Sequence, residues 1–171
     1  MSEQKRLITM KGTPLTLGGT AVEVGQQAPD FEVINNELSS VKLSAFREKV
    51  CIISSVPSLD TPVCDTQTRR FNEETKKLGN DVVVLTISMD LPFAQKRWCG
   101  AAGITNLQTL SDHRDAAFGN AFGVLIKDLR LLARAVFVID REGIIRYIEL
   151  VDELTHQPNY EAALQAAKEL L

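Results

Sequence analysis

Apolar positions along this chain fall into short runs separated by polar, glycine- or proline-bearing breaks, and the runs differ in period. Val50-Cys-Ile-Ile-Ser-Ser-Val56 and Val82 to Ser88 are nearly continuous in apolar or β-branched character, which suits strands covered on both faces. Between them Cys64, Thr68, Phe71, Thr75 and Leu78 recur at helical spacing. Thr61 suits the N-cap, Pro62 the first helical position, and Gly79-Asn80 a left-handed stop. Such a strand, helix, strand unit implies parallel strands and a right-handed crossover. Upstream, Leu7 to Leu17 holds two apolar stretches broken at Gly12, and Leu17-Gly-Gly-Thr20 offers a turn before Ala21 to Val24, so a hairpin is expected there. Phe31 to Ile34 reads as a short strand, polar Asn35 to Ser40 follows, and Leu43 to Phe46 reads as one helical turn. Downstream, Pro92 opens a helix that closes at Gly100 and Gly103, and Leu107 to Leu110 is a short strand or extended link. Asp112 to Phe122 reads as a helix ended by Gly123. Ala133 to Asp140 and Gly143 to Leu150 form a hairpin across Asp-Arg-Glu-Gly. A last helix from about Pro158 is expected to bury Tyr160, Leu164, Ala167 and Leu171.

A length of 171 residues fits one domain over 1–171, with 1–24 as an N-terminal hairpin extension. A net charge of -3 argues against an electrostatic nucleic-acid binder. The local clusters Arg69-Arg70 and Lys76-Lys77 have Glu73 and Glu74 among them and read as a solvated helix face. No long apolar run follows the polar N-terminus, so neither a signal peptide nor a membrane span is expected, and the cytoplasm is the expected location. Three cysteines without a Cys-x-x-Cys pair, and His113 and His156 far from each other and from any cysteine, give no metal-ligand spacing. No nucleotide or haem-attachment motif is present, so neither metal nor cofactor is expected.

The chemistry concentrates in Pro57-Ser-Leu-Asp-Thr-Pro-Val-Cys64, a polar turn at the carboxyl end of the first buried strand. Cys64 falls at the third position of the helix, where unpaired backbone N–H groups and the helix dipole favour an anion, and the thiolate is the nucleophilic form of cysteine. Cys64 also lies on the inward face of its helix, so core filling is an equally valid reading of its spacing. Cys51, inside an apolar strand, reads as an inert core thiol, and Cys99 as a half-buried thiol beside Trp98. Arg134, flanked by apolar residues at a strand start, suits either a structural carboxylate or another anionic partner.

Pro57, Thr61 and Cys64 match the Pro-x-x-x-Thr-x-x-Cys pattern of peroxiredoxins, and the fuller Pro-Ser-x-Asp-Thr-x-Val-Cys form resembles that family's thiol peroxidase, atypical two-cysteine branch. Asp90-Leu-Pro-Phe-Ala-Gln-Lys-Arg-Trp-Cys99 is similar to the run carrying that branch's resolving cysteine, and Ala28-Pro-Asp-Phe31 is shared with the family. Without the N-terminal hairpin and an inserted segment, the element order is βαβ, α, β-hairpin, α, that of an α/β thioredoxin fold with a central mixed sheet flanked by helices. The resemblance implies that Cys64 attacks hydrogen peroxide or organic hydroperoxides and becomes a sulfenic acid, that Cys99 resolves it as an intramolecular disulfide, and that thioredoxin is the reductant. It implies Arg134 close to the sulfur, Thr61 bonding the thiolate or peroxide as well as capping, Pro57 shielding the site, and a homodimer. Pro62 stands where several relatives carry Gly, which removes one N–H donor. Bridging Cys64 to Cys99 requires Cα atoms within about 7 Å, so at least one helix is expected to unwind on oxidation. A redox sensor or relay using the same two thiols, and a non-catalytic thioredoxin-fold binding module, are the alternatives.

Overall fold

The computed structural model describes residues 6–171. Strands β1 (Arg6–Met10) and β2 (Thr13–Gly18) form an antiparallel hairpin. Its turn is Lys11-Gly12, with φ of 51° and 82°, the two left-handed residues that match the twist of a tight hairpin. The break at Gly12 is therefore the hairpin turn, and Ala21 to Val24 makes no strand. The first five residues of the expected 1–24 extension lie outside the described residues.

The chain continues through β3 (Glu32–Ile34), β4 (Ser40–Lys42), a 3₁₀ turn at Leu43–Phe46, β5 (Val50–Ser55), α1 (Pro62–Thr75), β6 (Val82–Ser88), α2 (Pro92–Ala102), β7 (Gln108–Ser111) and α3 (Ala117–Ala121). The strands β8 (Leu125–Ile126) and β9 (Leu131–Leu132) follow, then β10 (Ala135–Ile139), β11 (Ile145–Leu150) and α4 (Tyr160–Lys168). One sheet runs β11-β10-β5-β6-β7-β3-β4, with β5, β6 and β7 parallel and the other pairs antiparallel. The mixed sheet and flanking helices agree with the expected fold class. A second sheet, β1-β2-β8-β9, takes in the hairpin. Its strands β8 and β9 are too short to show a period of two, which is why the sequence pattern misses them.

Alternation in β5 explains its unbroken apolar character. Val50 and Ile52 pack with Phe71 of α1 and Ala163 and Leu164 of α4, whereas Cys51 and Ile53 share the opposite cluster with Phe118, Phe122 and Phe137. In that cluster Phe122 meets Phe118 and Phe137 at ring-centroid distances of 4.9 and 5.0 Å. Three apolar side chains of the hairpin, Ile8, Leu15 and Leu17, are buried in the same cluster, whereas Leu7 on the other face of β1 is exposed.

Three element boundaries differ from expectation for local reasons. Regular α1 ends at Thr75 and relaxes through i to i+3 bonds, Lys77 N to Glu74 O and Leu78 N to Thr75 O, before Gly79 turns the chain at φ 81°. The segment 112–116 does not join α3, because Ala116 is left-handed at φ 50° and the Asp112 carboxylate receives the amides of Phe118 and Gly119 at 3.1 and 2.8 Å. Leu171 lies beyond α4 and is 49% exposed, so the buried stripe of that helix is Tyr160, Ala163, Leu164 and Ala167.

Candidate active site

The sheet register sets the site. In the antiparallel pair β5 and β10, Ser55 opposes Ala135, which brings Arg134 level with the chain as it leaves β5 for α1. Pro57 is buried at the start of this turn. Thr61 then caps α1: its hydroxyl oxygen accepts from the Cys64 N–H at 3.4 Å and its proton goes to the Ser58 carbonyl at 3.1 Å. Of the two readings of Thr61, the cap is the one seen here. Pro62 has no N–H and Cys64 gives its own to the cap, leaving the Val63 amide without a partner among the described residues.

The Asp90 carboxylate pins the turn from the next strand. It accepts from Ser58 Oγ at 2.7 Å, Leu59 N at 2.8 Å and Ser88 Oγ at 2.7 Å. The same residue leads directly into α2, whose first turn is fixed by buried Gln95 donating to Ser88 Oγ and the Leu110 carbonyl at 3.0 and 2.9 Å.

Cys64 is 0% exposed, packed with Val56, Leu59 and Trp98. Its sulfur receives a hydrogen bond from Arg134 Nη1 at 3.3 Å. The guanidinium, 2% exposed, also donates from Nη1 to Gln67 Oε1 at 2.8 Å and from Nε and Nη2 to the Leu154 carbonyl at 3.0 and 2.8 Å. None of these partners is a carboxylate. The carboxylate alternative for Arg134 is thus replaced by a fork whose one acceptor able to carry negative charge is the Cys64 sulfur. Gln67 is itself buried and held by donation to Ser54 Oγ at 2.7 Å.

Cys99 is not in this cluster. It is half-buried on α2, its sulfur 3.3 Å from Thr109 Oγ1 on β7; because Thr109 donates to Asn36 Oδ1 at 3.1 Å, the Cys99 S–H is the donor. Its neighbour Trp98 donates from Nε1 to Asp65 Oδ1 at 3.0 Å, tying α2 to the first turn of α1. All three cysteines are free thiols. Cys51 sits near the opposite end of β5, 2% exposed, where burial pushes its thiol up to about 12. Among the described residues no group of three His, Cys, Asp or Glu side chains comes together as a metal site, and no helix is long and apolar enough to cross a membrane.

Gln67 and the Leu154 carbonyl are the site groups that sequence reasoning misses. Gln67 does carry a signal, since a polar residue one turn on from Cys64 on an inward face needs a buried partner. The Leu154 carbonyl had no signal, being a backbone atom of a loop 90 residues from the cysteine it serves through Arg134.

The redoxin family model matches residues 23–164. A thiol peroxidase from Bacillus subtilis (strain 168) is 62% identical over 164 residues, covering 96% of this chain and 98% of that protein. The crystal structure of a peroxiredoxin-like protein from Aquifex aeolicus superposes with a TM-score of 0.91 at 43% identity, covering 97% of this chain and 98% of that one. A thiol peroxidase from Chromobacterium violaceum, 19% identical with a TM-score of 0.85 over 98% of this chain and 97% of its own, shares the fold.

Proposed function

The chain belongs to the redoxin family and is a thiol peroxidase, and from that premise we propose that it reduces hydrogen peroxide and organic hydroperoxides at Cys64, with Cys99 as the resolving thiol and thioredoxin as the reductant. The observation that carries this reading is the buried Arg134 fork. A buried cation without a counter-charge costs several kcal/mol, and the Cys64 sulfur, 3.3 Å from Nη1, is the one partner of Arg134 that can supply that charge as a thiolate. The N-terminus of α1 adds its dipole to the same end.

In the first step the Cys64 thiolate attacks one peroxide oxygen, an S–O bond forms as the O–O bond breaks, and the departing oxygen takes a proton to leave as water or an alcohol. The sulfur has given two electrons and is a sulfenic acid. The Val63 amide and the Arg134 guanidinium are the donors suited to the oxygen that develops charge, since preorganised donors of this kind contribute roughly 2.7 to 4 kcal/mol each to a barrier. Thr61 can turn its proton from the Ser58 carbonyl toward the peroxide when substrate enters, and Pro57 keeps water from the sulfur.

In the second step Cys99 attacks the sulfenic sulfur, the S–O bond breaks, and the hydroxide leaves with a proton as water. Cys99 meets Thr109 and Cys64 meets Arg134, which supports a bridge formed after α2, α1 or both unwind. Two thiols of thioredoxin then return the disulfide to the starting state by exchange. Such a cycle belongs in a reducing cytoplasm; that compartment, a homodimeric assembly and the extent of the single domain go with this reading by likeness to the family.

The test is intact mass and peptide mapping after one equivalent of peroxide is added to reduced protein. The expected product has lost two hydrogens, carries a Cys64 to Cys99 bridge, and is absent in Cys64→Ser. Indifference to peroxide would overturn the peroxidase reading, and a sulfenic acid persisting on Cys64 would remove Cys99 from the mechanism.

A further inference from the structure

The N-terminal hairpin lies outside the span matched by the redoxin model, which begins at residue 23, yet it leads by a short chain of contacts to the reactive sulfur. Two of the four donations made by buried Arg134 go to one atom, the Leu154 carbonyl. That carbonyl sits in the loop after β11, where Val151 N also donates to the Arg134 carbonyl at 3.0 Å. What holds the loop is the outer edge of β1. Thr9 N donates to the Asp152 carbonyl at 2.8 Å, Leu154 N donates to the Thr9 carbonyl at 2.7 Å, and Thr9 and Glu153 form a parallel bridge.

Glu153 completes the suture. Its Oε1 accepts from Thr9 Oγ1 at 3.0 Å and from Gly12 N at the hairpin turn at 2.9 Å; its Oε2 accepts from Thr155 N and Thr155 Oγ1 at 2.8 and 2.7 Å. These bonds keep the carboxyl ionised well below the usual carboxylate range, led by the Thr155 hydroxyl and amide. One carboxylate thus joins the hairpin turn, the β1 edge and its own loop. The hairpin is a firm support, since Ile8, Leu15 and Leu17 are buried in the core and Arg6 Nη2 donates to the Gly123 carbonyl at 2.6 Å.

We infer that Glu153 and Thr9 are positioning residues for the peroxide reaction: they fix the Leu154 carbonyl, which orients the Arg134 fork toward Cys64. The hairpin is in this sense part of the active site. The inference rests on the peroxidase reading above. A guanidinium that loses its Leu154 anchor keeps only the Nη1 bonds to Gln67 and Cys64 and can pivot about them, so Nη1 is held less firmly at 3.3 Å from the sulfur.

The experiment compares Glu153→Ala and Thr9→Pro with the parent in a full-length Cys99→Ser background. It reads thiolate absorbance at 240 nm at neutral pH, the second-order rate of sulfenic acid formation with hydrogen peroxide, and hydrogen exchange of the Thr9 and Leu154 amides, Leu154 alone being followed in Thr9→Pro. Both variants are expected to show faster amide exchange, weaker thiolate absorbance and a rate lower by about tenfold, the equivalent of one lost hydrogen bond to a charged group. Circular dichroism should stay unchanged, and Glu153→Gln, which keeps an acceptor toward Thr9 and Gly12, should recover part of the rate. Faster exchange with thiolate absorbance and rate within twofold of the parent would overturn the inference, and so would unchanged exchange in both variants. Failure of the parent to react with peroxide would instead strike the peroxidase reading itself, so the two failures are distinguishable.

Discussion

Substituting Gly100 by alanine tests whether α2 must unwind for Cys99 to reach Cys64. Gly100 lies inside α2, one residue past Cys99, and a Cβ built there meets nothing within 4 Å. Alanine therefore adds helix stability without a clash, about 0.8 to 1.0 kcal/mol relative to glycine. If residues around 100 leave the helix before the disulfide forms, the whole of that energy is added to the cost of opening. Disulfide formation should slow by about four- to fivefold, while sulfenic acid formation on Cys64 is unchanged. Gly103 supplies the opposite perturbation. It ends α2 at φ 67° with its N–H on the Cys99 carbonyl, and a left-handed alanine costs roughly 1 to 2 kcal/mol, so Gly103→Ala should speed resolution by fivefold or more. The assay is rapid mixing with one equivalent of peroxide, followed by trapping of the sulfenic acid with dimedone at intervals and quantitation of the labelled and bridged peptides. Resolution rates equal within error for the parent, Gly100→Ala and Gly103→Ala would refute unwinding at this end of α2 and move the opening to α1.

Arg134→Met should lower the peroxide rate by about 100-fold or more, the upper end of what a hydrogen bond to a charged group contributes, with Arg134→Lys restoring only part because one ammonium cannot span Cys64, Gln67 and Leu154 together; a rate within threefold in stopped flow would remove the fork from the mechanism. Cys51, pushed up to about 12 by burial, should resist iodoacetamide at pH 8 in folded protein while half-buried Cys99 is labelled, as peptide mapping will show. Because its folded value lies above the unfolded one, this thiol keeps more protons folded than unfolded between about pH 8.5 and 12, so its stabilisation is complete below that window and lost within it, at about 1.4 kcal/mol per pH unit; Cys51→Ser should flatten the alkaline limb of a urea-denaturation series. Asp90→Asn deprives Ser58, Leu59 or Ser88 of an acceptor and should cost about 1 to 3 kcal/mol in the same assay, an unchanged midpoint counting against the pinned turn.

How much of the molecule is legible in its sequence depends on the range of the interactions. The βαβ unit and the N-cap at Thr61 are set by residues within a few positions of one another and are found where local chemistry places them, whereas of the two glycines expected to close α2 only Gly103 does so, Gly100 lying inside the helix. Both Gly12 and Gly18-Gly19 offer hairpin breaks, and the register of β1 with β2 places the turn at Lys11-Gly12 while β2 continues to pair with β8. The helix expected from Asp112 is shortened because its own first residue folds back on the amides of Phe118 and Gly119. In the site, the Thr61 cap and the place of Cys64 on its helix are local and legible, whereas the pairing of Arg134 with the sulfur has no local signal and follows only from family resemblance. Gln67 and Leu154 complete the fork through contacts spanning 67 and 20 residues, and no pattern along the chain encodes the second.

The fork also gives a reason why oxidation should favour opening. In the proposed cycle the reduced Cys64 sulfur, the guanidinium and the dipole of α1 support one another, and the cap that presents them requires an intact first turn. A sulfenic acid has no net charge, so the charge-assisted part of its bond to Arg134, about 1.5 to 3 kcal/mol for a charged group, is weakened. It also adds an oxygen atom where Cys64 is 0% exposed and packed against Val56, Leu59 and Trp98, and overfilling such a site typically costs about 1 to 3 kcal/mol. Both changes act on the residues where α1 meets α2, and Trp98, bonded to Asp65, belongs to both the packing around the sulfur and the helix that carries Cys99. On the proposed mechanism, oxidation of Cys64 would therefore weaken the packing between α1 and α2.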